Sequence, residues 1–186
     1  MKSPSIPAGL LNRNVELFVQ DDELYGVYKG KTYPYLEFPE TIRNVFQVEL
    51  IRDKKAQESL KNDMVITDST EMELQFVKCR YGGFDNNPDL SNNGETRPEC
   101  WDCGVHGSCD AEGKVCHLPA GVHGTLTKRE YQIAVLVGRG CYDYEISDQL
   151  DIAESTVREY LKRIRSKIGA NNRQEITMFA HKNGLL

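Results

Sequence analysis

The strongest constraint on the fold of this chain is a segment in its middle that cannot build a hydrophobic core. Gly, Asn, Asp and Pro dominate it, and it shows hardly any apolar periodicity. Such a segment buries too little apolar surface to offset the entropy lost on ordering. It divides the chain into a mixed strand and helix region (1–78), a Cys-rich module (79–119) and a C-terminal region (124–186). We expect the stretch from Gly121 to Gly124 to be a short linker.

The cysteines in this segment predict that a metal ion organises it. Five of the six cysteines of the chain belong to the module: Cys79, Cys100, Cys103, Cys109 and Cys116. In a reducing compartment, thiols clustered in this way indicate metal binding rather than disulfides. Four thiolates form a closed tetrahedral zinc site, which is structural because no position stays open for catalysis.

Five thiols compete for four positions around such an ion. We expect Cys103, Cys109 and Cys116 to bind zinc, with Cys79 or Cys100 as the fourth ligand. The imidazoles of His106 and His117 are further candidates. An iron–sulfur cluster also uses four thiolates and is the alternative cofactor, and unmetallated thiols are the third possibility.

Length and composition exclude several classes of protein. The chain has 186 residues, of which 39% are hydrophobic and 27% charged, which predicts one domain or two small ones rather than a large multidomain enzyme. No apolar run approaches the roughly 18 residues of a membrane span, and the N-terminus lacks the features of a signal peptide. We therefore expect a cytoplasmic protein without membrane contact. No nucleophile signature surrounds Cys109, so we expect no enzyme.

The N-terminal region predicts an α+β arrangement. Residues 14–36 alternate apolar and polar side chains around Asp-Asp and Lys-Gly turn signals, which predicts a small antiparallel hairpin or meander. Residues 40–51, 53–62 and 69–79 have helical periodicity or helix-favouring composition. The fold class we predict is α+β: this β-hairpin with helices, the metal-organised loop module, and four C-terminal helices.

The C-terminal region carries the signals of those four helices. Thr127 and Glu130 have the spacing of a capping box at the start of the first helix. The second helix is predicted over Asp143–Leu150 and the third over Glu154–Ile168, and Asn172 is placed to cap the fourth.

The third of these helices has two distinct faces. Its apolar face is formed at the helical period by Val157, Leu161, Ile164 and Ile168. A basic face is formed by Arg158, Lys162 and Arg165. Net charge agrees with this location: residues 1–123 hold 13 basic and 20 acidic side chains, a sum of −7, whereas residues 124–186 hold 10 and 8, a sum of +2.

Ordered motifs across all four helices resemble the LuxR-type helix-turn-helix of bacterial transcription regulators. The resemblance covers about residues 124–186. The motifs that carry it are Leu126-Thr-Lys-Arg-Glu130, Gly140, Glu145-Ile146, Leu150-x-Ile152, Thr156-Val157-Arg158, Ile164-x-x-Lys167-Ile168-Gly169 and Arg173-x-Glu175. The chain departs from the family pattern at Lys128, where a Pro is usual.

The resemblance implies a role for each helix. The second would be the scaffold helix, the third would lie in the major groove, and the fourth would be the dimer contact. Carried over by position, the residues expected near base edges are Arg158, Glu159 and Lys162. Those expected to hold phosphates are Thr156, Arg165 and Lys167.

The function that follows is sequence-specific DNA binding in transcription regulation, with the zinc module as a structural part. The expected partners are double-stranded DNA, a second copy of the chain through its C-terminal helix, and RNA polymerase as a further candidate. Two alternatives stay open: a redox- or iron-sensing regulator with an iron–sulfur cluster, and a protein-interaction adaptor of the transcription machinery.

Overall fold

The computed structural model describes residues 8–10, 12–105 and 109–185. The chain forms two compact units, Met1–Glu99 with Lys114–His117 and Cys100–Gly113 with Leu118–Leu186. The class is α+β, as predicted. Both units include part of the Cys-rich stretch: Lys114–His117 belong to the first and Cys100–Gly113 to the second.

The first unit begins with a three-stranded antiparallel meander of β1 (Val15–Gln20), β2 (Glu23–Tyr28) and β3 (Lys31–Pro34). Two-residue turns join the strands, at Asp21 and Asp22 and at Lys29 and Gly30. All four turn residues have positive φ, the geometry of hairpin turns that match strand twist. The turn signals in the sequence are thereby confirmed.

Three α-helices follow among the residues of the first unit that the structure describes: α1 (Glu40–Arg52), α2 (Lys54–Asn62) and α3 (Ser69–Tyr81). A 3-10 turn, Tyr35–Glu37, leads from the meander to α1. The core between the meander and the helices is formed by Leu17, Tyr35, Phe46, Leu60, Phe76 and Tyr81, each at most 1% exposed.

A buried carboxylate on α3 ties these elements together. Glu73 accepts a hydrogen bond from the Tyr35 hydroxyl at 2.9 Å and pairs with the Arg43 guanidinium at 3.0 Å. The Gln47 amide donates to the same carboxylate at 2.7 Å. Burial, the Glu73 carboxylate and their hydrogen bond raise the pKa of Tyr35, which stays a neutral donor.

After α3 the chain returns along the free edge of β1. Val15 and Leu90 exchange backbone hydrogen bonds of 2.8 and 3.2 Å. The Leu17 amide donates to the Asp89 carboxylate at 2.6 Å, and the Asp85 amide donates to Glu16 at 2.8 Å. The returning chain thus brings buried carboxyl groups together beside β1, and their ionisation makes the stability of the first unit depend on pH.

The described part of the second unit contains four helices: α4 (Lys128–Gly138), α5 (Asp143–Leu150), α6 (Glu154–Ile168) and α7 (Arg173–Lys182). Helix α4 packs against α6 and α7, and α5 packs against α6. Their shared core includes Tyr131, Ile133, Ile146, Val157, Ile164 and Ile176, none of which is measurably exposed. The predicted capping box of α4 and the Asn172 cap of α7 are both confirmed.

The stretch before α4, which the sequence indicates to be a linker, is instead part of the second unit. It forms a small antiparallel hairpin whose strands have two residues each, β4 (Ala120–Gly121) and β5 (Gly124–Thr125). The His123 amide donates to the Lys167 carbonyl at 2.8 Å. Gly121 approaches α6 so closely that a Cβ there would lie 2.4 Å from that carbonyl oxygen.

Cys100, Cys109 and Glu112, which precede α4 in the same unit, pack against it. The Lys128 ammonium donates to the Cys109 carbonyl at 2.7 Å and lies 3.8 Å from Glu112, whose side chain is 1% exposed. Cys100 packs against the helical core. Burial and the Cys100 thiol beside its hydroxyl raise the pKa of Tyr131. Lys128, where the chain departs from the LuxR pattern, thus anchors the Cys-rich segment.

No helix within residues 8–10, 12–105 and 109–185 is long and apolar enough to cross a membrane.

Candidate nucleic-acid interface

Helix α6 turns one face to the core and the opposite face to solvent. The four apolar residues predicted for its inner face are buried: Val157, Leu161, Ile164 and Ile168. A helix advances about 100° per residue, which places Ser155, Glu159, Lys162 and Ser166 opposite this stripe. The sequence period therefore predicted the buried apolar face of α6 correctly.

Basic residues lie within and beside this outward row: Lys162 belongs to it, and Arg158 and Arg163 lie on its two sides. Arg158 and Lys162 are exposed, and the Arg158 side chain retains 65% of its accessible surface. Arg158 lies 3.6 Å from Glu154, one helical turn earlier, which is a weak surface ion pair. Arg163 is exposed on the other flank, with its guanidinium 5.5 Å from the centre of the Tyr160 ring. The helix carries five basic side chains and two acidic ones.

Lys167 has partners inside its own domain. Its ammonium lies 2.6 Å from the Glu130 carboxylate and donates to the Thr125 carbonyl at 3.1 Å. Burial by itself raises the pKa of Glu130. The hydrogen bonds from Lys167 and Thr127 lower this pKa by more, so that the net shift is downward. Lys167 therefore fastens the end of α6 to the capping box of α4.

The first turn of α6 is held without a side-chain cap. Ala153 is the N-cap, in extended conformation, and makes no capping hydrogen bond. Thr156 is half-buried in this turn. It lies on the same flank as Lys167, whereas Arg165 lies on the flank with Arg158, so the expected phosphate contacts fall on two sides of the helix.

One basic residue outside α6 was not among the predicted site residues. Arg173, at the start of α7, pairs with Asp143 of α5 at 2.6 Å and also donates to the Cys141 carbonyl. It lines a groove with Arg158 and Arg165. Arg173 belongs to the run of basic residues that follows Arg158 in the sequence, but only the packing of α7 brings it beside them.

The cysteines expected to bind metal do not form a recognisable site among the described residues. Cys79 and Cys116 are half-buried in the first unit, and Cys100, Cys103 and Cys109 belong to the second. Within residues 8–10, 12–105 and 109–185, no group of three or more His, Cys, Asp or Glu residues is arranged to hold a metal ion. His106 lies outside the described residues. Zinc binding stays a prediction.

His117 is an exposed residue of the first unit. Partial desolvation of its ring and the nearby Arg80 lower its pKa, which favours the neutral imidazole.

The arrangement of α5 and α6 defines the class of the C-terminal domain. A short turn joins the two helices, with Asp151 in the left-handed conformation at φ 50°, and the second helix exposes a basic face. This is a helix-turn-helix, in which the second helix enters the major groove of DNA.

Sequence comparison gives the family of this domain. Residues 124–180 match the model of the bacterial regulatory proteins of the luxR family. This segment is therefore a LuxR-family helix-turn-helix domain.

Curated relatives share this domain and little else of the chain. The transcriptional regulatory protein LiaR of Bacillus subtilis is 36% identical over 64 residues, which are 34% of this chain and 30% of LiaR. The response regulator Rre1 of Synechocystis is 35% identical over 74 residues, 36% of this chain and 32% of Rre1. The regulator MalT of Yersinia pestis is 32% identical over 57 residues, 31% of this chain and 6% of MalT. The chain thus spans at most about a third of these relatives.

Proposed function

We propose that the protein is a sequence-specific DNA-binding transcription regulator. The observation that carries the proposal is the exposed, basic outer face of α6 in a LuxR-family helix-turn-helix domain. Relatives that share the domain bear the names of transcriptional regulatory proteins and a response regulator, which supports the same function.

In this proposal α6 lies in the major groove and reads bases with its outer face. Arg158 and Lys162 would donate to guanine O6 and N7, and Glu159 would accept from the cytosine amino group. Thr156 and Arg165, on opposite flanks, would contact phosphates of the backbone and set the register of the helix. We leave Lys167 out of these contacts because its ammonium is engaged by Glu130.

Helix α7 is the proposed contact between two copies of the chain. Ile176 and Ala180 of α7 face the core of the domain, whereas the Met178 side chain is 68% exposed on the other side. A two-fold pair of such domains would place its recognition helices in successive major grooves, about 34–36 Å apart. The operator would then be an inverted repeat with this half-site spacing.

The experiment that tests the function is selection of bound duplexes from a random DNA pool, followed by gel-shift titration at several salt concentrations. A DNA-binding regulator enriches a defined sequence and shows a steep fall of affinity with salt. An adaptor that docks proteins through its N-terminal unit would show neither. Absence of both would overturn the proposal.

Lys162→Ala should weaken binding to the selected duplex about tenfold or more, because a good base contact contributes about 1–3 kcal/mol of discrimination. The control is Lys128→Ala, which removes a positive charge whose partners are Cys109 and Glu112. Equal losses for the two variants would count against the assigned outer face of α6.

A further inference from the structure

A groove in the C-terminal domain brings three arginine side chains together. It lies where the start of α5 and the start of α7 meet one flank of α6, and its volume is about 330 Å³. Its lining consists of Asp143, Arg158, Leu161, Arg165, Arg173 and Ile176. Leu161 and Ile176 supply the apolar part of this lining, and the charged part consists of one carboxylate and three guanidinium groups.

The charges of this groove are unbalanced. Arg173 has internal partners in Asp143, at 2.6 Å, and in the Cys141 carbonyl. These two bonds use two of the five N–H donors of its guanidinium and leave the others able to donate to an anion. Arg165 bonds only weakly within the helix, with its Nε 3.3 Å from the Leu161 carbonyl oxygen. The lining residues hold three guanidinium groups and one carboxylate, an excess of two positive charges. Glu154, outside the lining, offsets this excess only weakly through its exposed ion pair with Arg158 at 3.6 Å.

The groove is also prepared geometrically. Asp143 and the Cys141 carbonyl hold the Arg173 guanidinium in place, so less conformational freedom is lost when it binds. Guanidinium groups offer a planar fork of N–H donors that fits phosphate oxygens. An anion placed between Arg165 and Arg173 would relieve the repulsion between their like charges.

We infer that this groove holds one phosphate of the DNA backbone, bound by Arg165 of α6 and Arg173 of α7. The inference rests on the proposed function and adds to it a phosphate contact from outside the recognition helix. Because a phosphate contact carries no base identity, the groove fixes the register of α6, and base choice stays with its outer face.

The test measures the affinity of the full chain for the selected duplex, and for a scrambled one, across a range of salt concentrations. The variants are Arg165→Ala, Arg165→Lys and Arg173→Lys. The control is Arg139→Ala, which removes a 54% exposed guanidinium at the end of α4. Thermal unfolding of each variant confirms that the domain is folded.

We expect Arg165→Ala to weaken binding to both duplexes by a similar factor and to lower the slope of log affinity against log salt by about 1, the value of one phosphate contact. Arg165→Lys should retain the slope, because it keeps the charge. Arg173→Lys should retain the slope and weaken binding, because the bidentate fork is lost. Arg139→Ala should leave both affinity and slope unchanged.

A slope for Arg165→Ala equal to that of the unmodified chain would overturn the groove as a phosphate site, as would an equal drop for Arg139→Ala. Either result would leave the proposed function standing if the unmodified chain still selects a sequence. Failure of the unmodified chain to bind any duplex would overturn both.

Discussion

At the scale of single residues, the structure separates basic side chains that a sequence shows as one group. Arg158 and Lys162 are open to solvent on α6. Lys167, only five residues after Lys162, lies against the 4% exposed side chain of Glu130. Residue type and spacing identify all three as basic residues of one helix. Their roles differ because Lys167 contacts a buried carboxylate, whereas Arg158 and Lys162 face solvent.

Lys167→Ala should therefore lower stability more than it lowers DNA affinity. The substitution leaves the Glu130 carboxylate without its ammonium partner, at a cost of about 2 kcal/mol, the usual range for a hydrogen bond to a charged group. Urea unfolding followed by fluorescence of Trp101, the single tryptophan, reports on the C-terminal unit.

The matched control is Lys162→Ala on the same helix. It should leave the free energy of unfolding within about 0.5 kcal/mol of that of the unmodified chain, because the Lys162 side chain is exposed. A Lys167→Ala variant as stable as Lys162→Ala would show that Glu130 does not need this partner.

At the scale of elements, the small hairpin of β4 and β5 fixes the start of the DNA-binding domain against the end of α6. Gly121 makes this contact possible because backbone atoms of Lys167 and Ile168 occupy the position of a Cβ. A glycine in this stretch indicates a flexible linker from sequence alone, whereas the structure assigns it to close packing.

Gly121→Ala should destabilise the C-terminal unit by about 1–3 kcal/mol, because the added carbon would lie 2.4 Å from the Lys167 carbonyl oxygen. Gly140→Ala is the comparison, since Gly140 has positive φ but open space around its Cβ position. It isolates backbone strain of about 1 kcal/mol. Thermal unfolding of both variants decides: a smaller loss at Gly121 than at Gly140 would contradict the close packing.

The return of the chain along β1 gives the first unit a pH dependence. Burial raises the pKa of Glu16 to about 8 and that of Asp89 to about 10, and the facing carboxylates of Asp85 and Glu99 act in the same direction. Both folded-state pKa values lie above the unfolded ones. The stability that these groups contribute is thus fully present below about pH 4 and is lost as pH rises through 8 and 10.

We expect hydrogen exchange from β1, corrected for the intrinsic rate, to show falling protection between pH 6 and pH 9. Glu16→Gln should make this dependence shallower, because the amide cannot ionise, whereas Glu37→Gln, at an exposed position, should not change it. Protection that is constant with pH in the unmodified chain would be the contrary result.

At the scale of the whole molecule, the Cys-rich segment is the part whose chemistry is still a prediction. Its thiols belong to both units, and the described residues show no ready metal site. Cys100 and Cys109 nevertheless have defined places, because Cys100 packs on the helical core and the Lys128 ammonium donates to the Cys109 carbonyl.

Metal analysis of anaerobically purified protein, with an absorption spectrum of the same sample, tests the cysteine prediction. We expect one zinc per chain and no visible colour, as thiolate-bound Zn²⁺ gives. Iron with sulfide and a brown colour would favour the redox- or iron-sensing alternative. Protein without metal would contradict the prediction, and packing within each unit would then be what orders this segment.

The sequence by itself determined the local structure and the family of the C-terminal domain. Turn residues, caps and the 3.6-residue period depend on neighbours within a few positions, so Thr127, Asn172 and the apolar stripe of α6 could be identified without the fold. The tertiary structure decided the rest: that Lys167 pairs with Glu130, that Gly121 packs against Lys167, and that Arg173 pairs with Asp143 and lines a groove with Arg165. The residues in these pairs and packing contacts are far apart in the chain, and no local pattern encodes which distant surface a side chain will meet.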